Sequence, residues 1–162
     1  MGIFSTAIAL FSKGVGERER LPDCSSDDEV ETKPTVLVID DDPAVLLTVK
    51  SLLGKRGFNV LTSSSAPKGL DLLRYAARDI RIVVLDYSMP KLNGDETLNF
   101  IRQLSPDVRV IGITAMKLDS LPKEYLDGVD KLLTKPVIAT QLIGAVDELL
   151  GDGQTASSAI ES

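Results

Sequence analysis

The sequence predicts an α/β domain: a doubly wound parallel sheet of five strands with helices on both faces. Three observations predict it. Short aliphatic runs alternate with stretches of helical periodicity from Thr35 to about Gly151. The central run, RIVVL at 81–85, is apolar at successive positions, as a strand covered on both faces must be. The connections are short, as in βα units joined by right-handed crossovers.

VLVI (36–39) is the first strand. Val45, Leu46, Val49, Leu52 and Leu53 then recur at helical spacing, with Gly57 as a C-terminal stop. Asp42 followed by Pro43 is good start chemistry for that helix, an N-cap and an N1 proline. FNVLT (58–62) is the second strand, and Ala66, Leu70, Leu73 and Ala77 mark the second helix. RIVVL is the third strand; Leu98, Ile101 and Leu104 give the third helix, ended before Pro106. VRVIGI (108–113) is the fourth strand. In the segment after it, Pro122 suits a first helical turn and not an interior, so a short helix of about 122–127, α or 3₁₀, is expected. KLLT (131–134) is the fifth strand, and Ile138, Leu142, Ala145, Val146 and Leu149 give the last helix.

Outside this unit, taken as 35–151, residues 1–16 are apolar and small. Ile3, Phe4, Ala7, Ile8 and Phe11 share one helical face, a candidate amphipathic helix too short to be stable alone. It packs on its own domain, stays disordered, or docks on a partner or a membrane surface. Gly2 and Thr6 match a short myristoylation pattern of low specificity. Residues 17–34 read as a polar, acidic linker, and 152–162 as a disordered tail.

With 162 residues, 43% hydrophobic and 26% charged, the chain has room for one domain with a real core. Its net charge of −6 argues against a nucleic-acid surface, so no nucleic-acid partner is expected. It contains no histidine, which excludes Ser-His-Asp and Cys-His nucleophiles, His-ligated metals and a phosphohistidine donor. A single cysteine, Cys24, excludes an internal disulfide and suits a reducing, cytoplasmic setting. No apolar run reaches the length of a membrane span, and no secretory signal is evident.

The chemistry sits at strand ends. Asp40, Asp41 and Asp42 follow the first strand, Asp86 the third, Thr114 the fourth, and Lys135 the fifth. In an open parallel sheet the carboxyl ends of the strands line one edge, where ligands bind. Carboxylates about 5 Å apart repel by roughly 3 kcal/mol per pair at an effective dielectric near 20. Such a cluster needs a cation, and oxygen ligands alone suit Mg²⁺ or Mn²⁺. A bound divalent ion neutralises phosphate oxygens and leaves a carboxylate free as a nucleophile. Capping explains Asp42 and leaves the others. Thr114 can donate to a phosphoryl oxygen, though a threonine there, taken alone, more often bonds backbone. Lys135 can pair with a carboxylate or a phosphoryl oxygen. Lys135-Pro136 is also a place for a cis peptide bond.

VLVIDDDPAV, VVLDYSMPKLNGDE, VIGITA and LLTKP, in this order and spacing, resemble the motifs of response-regulator receiver domains of two-component signalling, over about residues 34–151. The resemblance implies a flavodoxin-like fold with strand order 2-1-3-4-5. It implies Asp86 as phosphoacceptor, Asp41 as a direct Mg²⁺ ligand, Asp40 as an acidic partner acting through water, and the Ser88 carbonyl as a further ligand. Thr114 and Lys135 would contact the phosphoryl group, and Pro90 and Gly94 would shape the loop after Asp86. The implied partners are a histidine kinase or phosphotransfer protein and a downstream protein. The implied activity is that of an acceptor that slowly loses its phosphoryl group, not of a turnover enzyme.

Two departures stand out. The family usually has an aromatic residue three positions before the lysine, which swings inward when the threonine moves; here that position is Leu132. The helix before the fifth strand is short, so an altered output face is expected. Eleven residues after Gly151 are too few for a DNA-binding or catalytic module, so output by protein contact or phosphoryl relay is expected. The competing readings are a constitutive binding module anchored by the N-terminal segment and a Mg²⁺-dependent phosphotransferase with an Asp nucleophile. The small size and the lack of a second acid-base residue count against the latter.

Overall fold

The fold was analysed in a computed structural model, which describes residues 33–151. The expectations for residues 1–16, for 17–32 of the linker and for 152–162 lie outside the described residues. Strands β1 (Thr35–Ile39), β2 (Asn59–Ser63), β3 (Ile80–Asp86), β4 (Arg109–Thr114) and β5 (Lys131–Thr134) alternate with helices α1 (Pro43–Lys55), α2 (Ala66–Tyr75), α3 (Gly94–Leu104), α4 (Lys123–Gly128) and α5 (Ala139–Gly151). The five strands form one sheet in the order β2-β1-β3-β4-β5, and every pair is parallel. This is the flavodoxin-like arrangement expected.

The strands bury both faces because alternate side chains point to opposite sides. Val36, Val38, Ile82, Val84, Ile111 and Ile113 pack with Val49 and Leu53 of α1 and with Leu142, Val146 and Leu149 of α5. Leu37, Ile39, Val83, Leu85 and Val110 pack with α2, α3 and α4 through Leu70, Leu73, Leu98, Ile101 and Tyr125.

The helix ends follow local chemistry. Asp42 caps α1, its carboxylate accepting from the Ala44 N–H at 2.8 Å, with Pro43 at the first position. Gly57 takes φ 90°, the left-handed conformation that favours glycine. The Gly57 and Phe58 N–H groups then donate to Gly54 and Leu53 carbonyls at 3.0 and 3.2 Å, closing the helix. α3 opens on a reciprocal cap between Asn93 and Glu96.

The region before β5 is short, as Pro122 predicts. A single 3₁₀ turn, Leu118–Ser120, precedes α4, whose six residues start just after Pro122. Two details of the helix reading are corrected. Ala77 lies beyond the end of α2, and Ile138, counted on the buried face of the last helix, is 50% exposed just before α5. The Lys135-Pro136 bond is cis.

Candidate functional site

Parallel registration decides which residues meet. Ile39 pairs with Leu85, Asp86 with Ile113 and Thr114 with Thr134, so the strands end at one edge. The residues placed there are Asp40 and Asp41 after β1, Asp86 closing β3, Thr114 closing β4 and Lys135 after β5. Asp40, Asp86 and Thr114 are buried and Asp41 is exposed. Asp40, Asp41 and Asp86 each offer a carboxylate oxygen, and these atoms lie within 4.8 Å of one another. The Lys135 ammonium stands between two of the acids, 3.0 Å from Asp40 Oδ2 and 3.1 Å from Asp86 Oδ1.

Backbone contacts fix this arrangement. The Lys135 N–H donates to the Thr114 carbonyl at 2.8 Å, so the lysine stays beside the end of β4. The Tyr87 N–H donates to the Ile113 carbonyl at 2.9 Å. Asp40 Oδ1 accepts from the Asp42 N–H at 2.8 Å, which leaves its other oxygen turned to the pocket. Thr114 Oγ1 accepts from the Met116 N–H at 3.0 Å, and its own proton remains available to an acceptor. Ser88 is exposed two residues beyond Asp86.

Burial raises the Asp86 carboxyl above its ordinary value, and the neighbouring Asp40 charge adds to that; Lys135 and the Ser88 backbone N–H pull the other way. Burial alone would lower the Lys135 ammonium, but pairing with Asp40 and Asp86 outweighs it and the value rises. A single ammonium therefore serves two buried acids, with a third beside them. Asp40 Oδ2 and Asp86 Oδ1 make no well-aligned hydrogen bond among the described residues; Lys135 meets them as an ion pair only. Surplus negative charge, oxygen donors alone and two buried carboxylate oxygens without aligned donors fit a hard divalent cation such as Mg²⁺ or Mn²⁺.

Two residues escaped the sequence reading. Tyr125 of α4 is fully buried, and its ring packs edge-on against Tyr87, with centroids 4.8 Å apart at 65°. Gly112, inside β4, makes room for it: a Cβ there would lie 2.6 Å from the Tyr125 hydroxyl and 2.9 Å from Leu132 Cδ1. For Gly112 a signal was present in the sequence, since a glycine inside a strand marks close approach of another group, though not which group.

The fold and the pocket define a class: doubly wound α/β domains with an acidic, lysine-bearing site at the carboxyl edge of the sheet. A family model described as the response regulator receiver domain matches residues 36–147. The chain belongs to the response regulator receiver domain family. It is 35% identical over 134 residues to the transcriptional regulatory protein PrrA of Mycobacterium tuberculosis, covering 81% of this chain and 56% of that protein. The chain thus spans little more than half the length of that relative. Among solved structures, a receiver domain protein from Clostridium thermocellum superposes with a TM-score of 0.70 at 33% identity, over 76% of this chain and 98% of that one. A chain of the CheX-CheY-BeF3-Mg+2 complex from Borrelia burgdorferi does so with a TM-score of 0.68 at 25% identity, over 72% and 89%.

Receiver domains are phosphoryl acceptors of two-component signalling and bind Mg²⁺ at an acidic pocket, as the expected class requires. The expectation that nucleic acid is no partner gains no support from a relative named as a transcriptional regulator. No helix among the described residues is long and apolar enough to cross a membrane.

Proposed function

We propose that the unit at 35–151 accepts a phosphoryl group on Asp86 from a histidine kinase or phosphotransfer protein and passes the signal on by protein contact, in the cytoplasm. The observation that carries this reading is the three-carboxylate cluster with Lys135 bridging Asp40 and Asp86. A carboxylate oxygen of Asp86 attacks phosphorus, the P–N bond of a donor phosphohistidine breaks, and the donor imidazole leaves with the electron pair. An acyl phosphate results. Water later attacks the same phosphorus, the P–O bond to Asp86 breaks, and inorganic phosphate departs.

Asp40, Asp41, Asp86 and the Ser88 carbonyl would hold the Mg²⁺, or Mn²⁺ in its place. The ion supplies neutralisation of charge on the transferring oxygens. Lys135 is already within ion-pair distance of Asp86 and can follow the new phosphoryl oxygens as a point charge. Thr114 has a hydroxyl proton to donate to another of those oxygens. Met116, Leu118 and Ile138 are exposed apolar residues on the segments following β4 and β5, which supports output through a protein surface close to the site.

Asp86→Asn is expected to abolish Mg²⁺-dependent labelling by a small phosphodonor such as acetyl phosphate. Labelling equal to wild type would sink the assignment. The short α4 favours a second reading, in which the domain binds its partners regardless of phosphorylation. Equal partner affinity of wild type and Asp86→Ala would select that one.

A further inference from the structure

Tyr125 has the surroundings of a working residue more than of a filler. It is the largest fully buried side chain among the described residues. It comes from α4, which has only six residues and presents Tyr125 as its buried side chain. Its ring is flanked by two glycines on different elements. A Cβ at Gly94, the first residue of α3, would lie 3.2 Å from ring atom Cε2, and one at Gly112 of β4 would lie 3.2 Å from Cζ. Its edge-on neighbour Tyr87 directly follows Asp86 in the chain.

The hydroxyl is anomalous. It is buried and has no hydrogen-bond partner among the described residues. Buried hydroxyls are nearly always satisfied, and an orphan calls for a physical reason. Burial pushes the phenol far above its ordinary value, and the Asp86 charge adds to that, so the hydroxyl keeps its proton and lies within the field of the acceptor. A group of this kind is a donor waiting for an acceptor. A phosphoryl group brings to the neighbouring site more negative charge and three strong acceptor oxygens.

We propose that Tyr125 is a positioning residue through which occupancy of Asp86 is read out at α4: its ring is wedged between the Asp86–Gly94 loop and β4, and its unpartnered hydroxyl gains a partner, directly or through water, when Asp86 carries a phosphoryl group. The space over Gly112 is taken by the Tyr125 ring from α4 together with Leu132 of β5, so the aromatic absent from β5 is supplied by another element. The loop after Asp86 and α4 then move as one packed unit, because Tyr87 and Tyr125 cannot shift separately without losing their contact. This inference rests on Asp86 being the acceptor.

The experiment uses the full chain with Mg²⁺ and beryllofluoride as the phosphoryl mimic. Fluorine NMR counts bound mimic, and amide hydrogen exchange reads α4. Tyr125→Phe keeps the ring and removes only an unsatisfied hydroxyl, so folding is preserved. In wild type the mimic is expected to bind and to change exchange across Lys123–Gly128 by several-fold. In Tyr125→Phe it still binds, roughly 3- to 10-fold more weakly, the loss of one hydrogen bond, and the α4 response falls to a minor fraction. The thermal midpoint of the unliganded variant holds or rises; a purely structural role would lower it and leave mimic affinity unchanged. An α4 response in Tyr125→Phe equal to wild type, with mimic bound, overturns the proposal. Failure of wild type to bind the mimic at all removes the acceptor reading instead, and the two failures are told apart by the fluorine signal.

Discussion

At the scale of single residues, the site is a charge balance tipped towards excess negative. Burial and Asp40 hold the Asp86 carboxyl above its ordinary value of 3.8. The folded domain therefore binds that proton more tightly than the unfolded chain. This contribution is present in full below about pH 3.8 and is lost as pH rises through the folded value. Above that range the ionised acid is a cost. Asp86→Asn is accordingly expected to stabilise the metal-free domain at pH 7 by on the order of 1 kcal/mol, roughly 3 to 5 °C in melting temperature. Melts in chelator from pH 4 to 8 should show the gain shrinking as the solution is acidified. Adding Mg²⁺ should stabilise wild type more than the variant and narrow the gap. Asp40, Asp41, Asp86, Thr114 and Lys135 were all legible as candidates because each follows an aliphatic run. Tyr125 was not, because a tyrosine in a short polar segment carries no mark of what its ring will touch.

At the scale of elements, the five strands were legible to within a residue or so at each end, and α1, α3 and α5 from their periodicity. Helix ends were legible where capping chemistry is local, as at Asp42 and Gly57. Packing contacts were not. Gly54 and Gly69 are both helical glycines, and the sequence does not separate them. A Cβ at Gly54 in α1 meets nothing within 4 Å, whereas one at Gly69 in α2 would lie 2.5 Å from Ile39 Cδ1 and 2.7 Å from Cγ1. Ile39 is fully buried and has no room to yield. Gly54→Ala is therefore expected to stabilise by up to ~1 kcal/mol through helix propensity. Gly69→Ala is expected to destabilise by ~1 to 3 kcal/mol through overpacking. Urea titrations of the two variants, with unchanged slopes, would check both signs.

At the scale of the whole molecule, the sheet separates two charged regions. The acidic pocket lies at the carboxyl edge. At the amino end, just before β5, Asp130 ties three elements together. It accepts from Arg102 of α3 at 2.9 Å, from Arg109 of β4 at 3.0 Å and from the Val110 N–H at 2.8 Å. Burial alone would raise Asp130, but the Val110 N–H and the two arginines outweigh it and lower the value. Its stabilising effect is thus present above about pH 3.8 and is lost as pH falls through the folded value. Asp130→Asn is expected to cost ~1 to 3 kcal/mol near neutral pH, with the deficit closing in acid. Acid-unfolding curves that stay parallel throughout would contradict this. The two carboxyls Asp86 and Asp130 therefore pull the acid stability of the domain in opposite directions.

Chain-local information determined a great deal here. Alternating aliphatic runs and helical periods dictated a parallel sheet with two covered faces, since only that arrangement buries runs apolar at every position. Polar residues just after the runs then had to meet at one edge, whatever their separation in sequence. The tertiary structure alone decided how Lys135 divides itself between Asp40 and Asp86, because that depends on distances set by strand registration. It also decided that a phenol from α4 occupies the space over Gly112. Side-chain volume is shared across elements in a close-packed core, so which residue fills a gap follows from how the helices seat on the sheet. That is why the residues of the acidic pocket could be picked out from the sequence and the tyrosine from α4 could not.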